Sequence, residues 1–186
     1  MIIAISGKKG AGKTTLAKNL QKKLSGNWEI LPLAQPIKGL CGWVLDQHIL
    51  ADLTEEEKNK PTVLSMTVRK LCQKVGTALR EVHPAFWIRI WDTRSQGLAR
   101  LYPQQGLNFI VDDLRYMNEY DHFAVKGAVM VRLKRNVLPP DDHLSETGLN
   151  TLPDGNFHIV VPEDCHPMKA RDMVLDHQDI RDMVQA

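Results

Sequence analysis

Apolar residues along the chain fall into short continuous runs and into longer stretches where they recur every three or four positions. Ile2 to Ile5 is a β-branched run bounded by Ser6 and Gly7, the pattern of a strand buried on both faces of a parallel sheet. From Thr14 to Leu24 the residues Leu16, Ala17, Leu20 and Leu24 keep helical spacing, and Gly26 supplies a stop. Strand, glycine-rich segment and helix therefore occur in that order. A second strand is expected from Trp28 to Ala34, and Pro36 suits the first turn of a helix running to about Leu50. Residues 51 to 62 are charged and end near Pro61, so they read as a surface connection. Two helical stretches follow from about Met66, broken at Pro84. Phe109 to Val111, Ala128 to Leu133 and Phe157 to Val161 read as a third, fourth and fifth strand, with helices over 116–126 and from about Pro167. Such alternation implies an α/β fold with a parallel sheet, right-handed crossovers and helices on both faces.

The chain has 186 residues, which suits one domain with a sizeable core. Its 43% apolar and 25% charged residues are those of a globular chain rather than a disordered or membrane-embedded one. A formal charge of +2 is too small to argue for a polynucleotide-coating surface but suits small phosphorylated ligands. Cys41, Cys72 and Cys165 are odd in number and widely spaced, which makes neither a metal pattern nor a disulfide framework. A reducing compartment is expected. The opening apolar run lacks a basic flank and is too short for a secretory signal, and no stretch reaches the roughly 18 apolar residues of a membrane span. The expectation is a cytoplasmic protein without membrane or polynucleotide partners.

Gly7-Lys8-Lys9-Gly10-Ala11-Gly12-Lys13-Thr14 fits G-x-x-x-x-G-K-[ST] at every position, between the first strand and the first helix. That context lets backbone N–H groups converge on phosphate oxygens. Gly7, Gly10 and Gly12 let the main chain approach an anion closely. Lys13 is expected to reach the β- and γ-phosphates of ATP, and Thr14 to offer its hydroxyl to Mg²⁺. Lys8 and Lys9 fit either a phosphate contact or plain solvation. The expected ATP-binding set is Gly7, Lys8, Gly10, Ala11, Gly12, Lys13, Thr14 and Thr15.

Asn108-Phe109-Ile110-Val111-Asp112-Asp113 is an apolar strand that delivers carboxylates at its C-terminal end, the edge where open α/β sheets bind ligands. A carboxylate there can hold Mg²⁺ or orient an acceptor, and it can also cap the next helix. Arg115 can clamp a phosphate or pair with Glu119. Trp87 and Trp91 lie four apart, which is core spacing on a helix.

Beyond the phosphate loop, four sets of residues carry a resemblance. They are Leu33 to Lys38; Arg69 with Gly76, Thr77, Arg80 and Trp87; Asp113-Leu114-Arg115 with Asn118 and Glu119; and His143-Leu144-Ser145-Glu146. In this order and spacing they resemble the deoxynucleoside monophosphate kinases of tailed phages and their bacterial relatives, a branch of the P-loop nucleoside monophosphate kinases. The resemblance implies a three-layer P-loop fold of one domain over 1–186, with strand order 2-3-1-4-5. It also implies an acceptor-binding helical insertion over about 35–105 and a lid over about 135–150. Transfer of the ATP γ-phosphate to a deoxynucleoside monophosphate, with Mg²⁺, is the implied reaction. Lys38, Arg69 and Arg80 would lie near the acceptor phosphate, and Thr77 and Trp87 would shape its base and sugar pocket. Arg115 and His143 complete the implied acceptor set. Asp113 is favoured over Asp112 as the catalytic-edge and metal carboxylate because it opens the Asp-x-Arg pattern. Arg135, after the fourth strand, would join Lys13 on the moving phosphoryl group. Residues 136 to 148 contain no arginine, unlike many lids of the wider class. A kinase of another small acceptor, such as dephospho-coenzyme A, and a non-catalytic ATP-dependent switch are the rival readings. A homodimer is left open.

Overall fold

The computed structural model describes residues 1–46, 53–135, 143 and 147–184. Its sheet has five strands, β1 (Ile2–Gly7), β2 (Trp28–Ile30), β3 (Asn108–Leu114), β4 (Val129–Leu133) and β5 (Ile159–Val161), in the order β2-β3-β1-β4-β5. Every neighbouring pair is parallel. The class and the chain order of the strands are those read from the sequence, and the strand order is the one that the resemblance implies. The second strand is shorter than expected and ends at Ile30. The third runs past its apolar stretch through both aspartates to Leu114.

Helices α1 (Lys13–Gln21), α2 (Gln35–Val44), α3 (Glu55–Asn59), α4 (Val68–Val82), α5 (Phe86–Leu101), α6 (Met117–Val125), α7 (Pro167–Leu175) and α8 (Gln178–Arg181) complete the described elements. Helix α2 ends at Val44, and residues 47–50 of its expected extension lie outside the described residues. The segment read as a plain connection contains α3, started by a capping box in which the Thr54 hydroxyl accepts from Glu57 N–H and the Glu57 carboxylate accepts from Thr54 N–H. Among the described residues no helix is long and apolar enough to cross a membrane.

The chain forms two compact units, residues 1–32 with 91–186, and residues 33–90. In the first unit, strand alternation sorts the sheet side chains between two layers. Ile3, Ile5, Ile110, Val131 and Ile159 pack with Leu16, Ala17 and Leu20 of α1 and with Ala170 and Val174 of α7. On the opposite face, Trp91 of α5 meets Phe109 of β3 and Phe123 of α6 edge-on, at ring-centre distances of 5.7 and 4.9 Å. The Trp91 indole N–H donates to Leu31 O at 2.8 Å, so its polar atom is satisfied inside the core. In the second unit, Ile37 and Cys41 of α2 pack with Val68 and Leu71 of α4 and with Trp87.

Trp91 is 2% exposed, so truncation leaves a large cavity and deprives Leu31 O of its donor. Trp91→Ala is expected to destabilise the first unit by roughly 3–5 kcal/mol, read as a lower denaturation midpoint by far-UV circular dichroism.

Candidate active site

Parallel pairing of β1 with β3 and β4 brings three strand ends together at one edge of the sheet. At the end of β1, Gly7 has φ +152°, and a Cβ there would lie 2.8 Å from Leu133 O. Only glycine permits that approach of the loop to β4. The loop enters α1 through Gly12 at φ +95°, and no side chain caps the helix or adds an acidic group to its first turn. Its first N–H groups and dipole are thus left for an anion, with no acidic side chain of its own first turn competing. Lys13, 8% exposed, donates to Gly7 O at 2.7 Å and Lys8 O at 2.8 Å, which holds its ammonium over the loop.

The Thr14 hydroxyl donates to Asp112 Oδ2 at 2.6 Å. The carboxylate that faces the phosphate loop is therefore Asp112, where the sequence favoured Asp113. Strand parity gives the reason. Asp112 shares the face of Ile110, which packs toward α1, whereas Asp113 points to the opposite face. There its charge acts on Arg94 of α5, countering the effect of burial, which pulls that guanidinium down. Arg94 also donates to Pro32 O at 3.2 Å. The register adds a local device: Ala4 pairs Val111 and Ser6 pairs Leu114, so Asp112 and Asp113 together oppose Ile5 alone. This β-bulge splays two neighbouring carboxylates at the strand end.

A cavity of about 480 Å³ opens beside the loop, lined among others by Gly7, Lys8, Arg115, Lys134, Asn150 and Glu163. Glu119, 2% exposed, accepts from the backbone N–H groups of Arg115 at 3.0 Å and Tyr116 at 3.1 Å. The pairing of Arg115 with Glu119 thus runs at least through the main chain, and it fixes the turn that presents the side chain of Arg115 to the cavity wall. Arg132 holds the far wall in place. Its guanidinium donates to Leu152 O, Asp154 Oδ1 and Leu149 O, and lies 4.1 Å from the centre of the Phe157 ring. Lys134 donates to Asp154 Oδ2 at 2.7 Å. A smaller cavity beside α1 is lined by Ala11, Gly12, Thr15, Arg135, Pro162 and Pro167 among others. Arg135, which is exposed, therefore lies beside the start of α1.

The remaining expected acceptor residues belong to the second unit, apart from His143. The charges of Lys38 and Arg69 both act to lower the Cys72 thiol, and Arg69 also donates to Asn59 Oδ1 at 3.3 Å. Arg80 donates to Gly76 O at 3.1 Å, and the Trp87 indole N–H donates to the same carbonyl at 3.0 Å. Trp87 is 4% exposed and packs with Val68 and Leu71. Its surface and its single polar atom are thus engaged by the core, a correction to the expected pocket-shaping role. Thr77 is half-buried on α4. His143 accepts at its carbonyl from Thr147 Oγ1 at 3.5 Å, while most of the expected lid, 136–142 and 144–146, lies outside the described residues. Sequence reasoning missed Arg94. No motif marks it, and only its fold position opposite Asp113 gives it interest.

A glycine loop, a buried lysine over it and a Thr–Asp link at a parallel-sheet edge define a P-loop nucleotide-binding protein. The family described as deoxynucleotide monophosphate kinase matches residues 45–166. The chain belongs to that family. The match covers well over half of the chain and begins after the phosphate loop, so the loop and the family assignment are independent observations. No curated protein matches the chain significantly. Among solved structures, an unliganded sugar kinase from Janibacter sp. HTCC2649 aligns at 13% identity and a TM-score of 0.44, covering 100% of this chain and 98% of that one. A likeness that weak carries no argument.

Asp154 supplies a pH test of the cavity wall. Lys134 and Arg132 hold its carboxyl below the ordinary 3.8. Because the folded value is the lower one, the ion pairs contribute fully above about 3.8 and are lost as pH falls through that lower value. Carbon-13 NMR should show Asp154 titrating below 3.8 in the native protein and moving up toward that value in Lys134→Met.

Proposed function

We propose that the protein transfers the γ-phosphate of ATP to a deoxynucleoside monophosphate, with the donor bound by the phosphate loop of the first unit. The observation that carries this reading is the Lys13–loop–Thr14–Asp112 arrangement in a chain of the deoxynucleotide monophosphate kinase family. The loop amides and Lys13 cradle the β- and γ-phosphates. The small cavity beside Thr15, walled by Pro162 and Pro167 and overhung by Arg135, suits the flat base of the donor nucleotide. On this reading Arg135 is assigned to the donor nucleotide, beside the role on the moving phosphoryl group that the resemblance implies.

Among the described residues no cluster of three or more His, Cys, Asp or Glu forms a metal site. Magnesium needs none, because it takes one or two protein oxygens and completes its shell with phosphates and water. The Thr14 hydroxyl and Asp112 carboxylate, 2.6 Å apart, are hard oxygen donors of that kind and fit it. When bound, the ion neutralises charge on the bridging phosphate oxygens. Asp113, beside Arg94, is assigned to ordering the opposite face of the strand end rather than to the metal.

For the acceptor, Lys38, Arg69 and Arg80 are proposed to offset the charge of its phosphate, Thr77 to contact base or sugar, and Arg115 and His143 to orient it. Phosphoryl transfer needs no side-chain nucleophile, so positioning and charge neutralisation supply the rate. The three cysteines are free, which fits a reducing cytoplasm, where ATP and nucleotides are at hand.

The test is ADP release from Mg·ATP against a panel of deoxynucleoside and ribonucleoside monophosphates, dephospho-coenzyme A and no acceptor. Release with deoxynucleoside monophosphates above the rest supports the reading, whereas ATP hydrolysis indifferent to every acceptor sinks it. Lys13→Ala is expected to lower kcat by about 10²–10³. Asp112→Asn should raise the Mg²⁺ concentration needed for half-maximal rate about tenfold or more, and Asp113→Asn should leave it nearly unchanged.

A further inference from the structure

The second unit holds a pair of thiols that no part of the proposed chemistry uses. Cys41 lies on α2 and Cys72 on α4, 31 residues apart in sequence, and both are free. Both belong to the cluster formed where α2 packs on α4. The approach of the two helices is tight: a Cβ on Gly76 would lie 3.3 Å from Ile37 Cδ1. In that seam the two thiols pack into one cluster and perturb each other's titration. Cys41 is 1% exposed, whereas Cys72 is partly open to solvent.

We infer that Cys41 and Cys72 form a modification site for peroxide, closing to an α2–α4 disulfide that impairs binding of the acceptor nucleotide. The polarity of the pair assigns the steps. The interaction between the thiols, with the charges of Lys38 and Arg69, pulls the Cys72 thiol below its ordinary 9.0, while the same interaction and burial push the Cys41 thiol up. The partly exposed Cys72 thiolate attacks a peroxide oxygen, the O–O bond breaks and hydroxide leaves, giving a sulfenic acid. Cys41 then attacks that sulfur. An S–S bond forms and the hydroxyl departs with the Cys41 proton as water. Two thiols are oxidised by two electrons, and hydrogen peroxide is reduced to two molecules of water.

The link to acceptor binding rests on the function proposed above. Lys38 lies three residues before Cys41 on α2, and Arg69 three residues before Cys72 on α4. Each thiol is therefore about one helical turn from a cation assigned to the acceptor phosphate. A disulfide fixes its sulfurs at about 2.05 Å, so closure ties the two helices together at this turn and removes their freedom to shift on binding. It also consumes the Cys72 thiolate beside both cations.

The experiment treats the full chain with hydrogen peroxide near stoichiometry, with and without a deoxynucleoside monophosphate, and follows intact mass, peptide maps and kinetics. Expected are loss of two hydrogen atoms, a Cys41–Cys72 linked peptide, and Cys165 still alkylatable. KM for the acceptor should rise about tenfold with KM for ATP within about twofold, and dithiothreitol should restore both. By reciprocity the bound acceptor should shift the thiol–disulfide equilibrium, poised with dithiothreitol, toward the thiols by a similar factor. In Cys72→Ser, peroxide should leave its own kinetic constants unchanged. If that variant does not fold, the oxidised and re-reduced native protein still supplies the comparison. Oxygen adducts without a cross-link, or a link through Cys165, overturn the site. A Cys41–Cys72 link that leaves the acceptor KM unmoved overturns its effect. If the reduced protein phosphorylates no deoxynucleoside monophosphate, the proposed function fails, and the mass and peptide map still decide the cross-link.

Discussion

The hydrogen bond from Thr14 to Asp112 joins two residues 98 positions apart, and it can form only where β1 and β3 run side by side in the same direction. Parallel pairing makes strand register a placing device: wherever β1 ends, the last residues of β3 and β4 end beside it. Gly7, Asp112 and Leu133 come from three distant stretches of chain and meet because their strands are parallel neighbours. The apolar character of β1, whose Ile3, Ala4 and Ile5 are fully buried, enforces this register, since a one-residue slip would turn the isoleucines away from α1. The chemistry of the loop therefore rests on core packing a few residues away.

The bulge at Asp112 and Asp113 shows how that edge gains a second direction. In a regular strand the two aspartates would already point to opposite faces. Two residues set against Ile5 alone add local twist and free both from strict ladder pairing. One carboxylate then serves the phosphate loop through Thr14, and the other faces Arg94, whose guanidinium is anchored on Pro32 O. The two carboxylates at the edge are separated by face rather than by distance along the chain.

Much of this was legible in the residues because the phosphate loop and the apolar strands state their physics locally. A run such as Ile2 to Ile5 followed by the glycine loop announces a strand, loop and helix, and the strand order came with the family resemblance rather than with the loop. The choice between Asp112 and Asp113 was written in the parity shared with Ile110, but parity decides only after one knows which face carries α1. Trp87 and Trp91 had the same core spacing, and both are core. Expecting Trp87 in a pocket set a resemblance above a pattern that the sequence already displayed. Helix α3 was announced by Thr54 and Glu57 at capping-box spacing, yet a charged stretch before Pro61 hid it. Arg94 could not have been found, because its interest arises solely from the strand end that it faces.

The second unit collects residues by another route. Helices bring side chains together through faces, and a face repeats every three to four residues, so one contact between helices aligns several residue pairs at once. Once Gly76 lets Ile37 approach α4, Cys41 and Cys72 fall into the same seam, and the cations one turn earlier on each helix follow. An odd number of cysteines at wide spacing says nothing of this. The pairing is a consequence of helix packing, invisible until the α2–α4 contact is known and hard to avoid afterwards. Such a seam responds to small chemical change because close-packed helices cannot absorb it locally, so a bond made within it must be felt by the residues on either side.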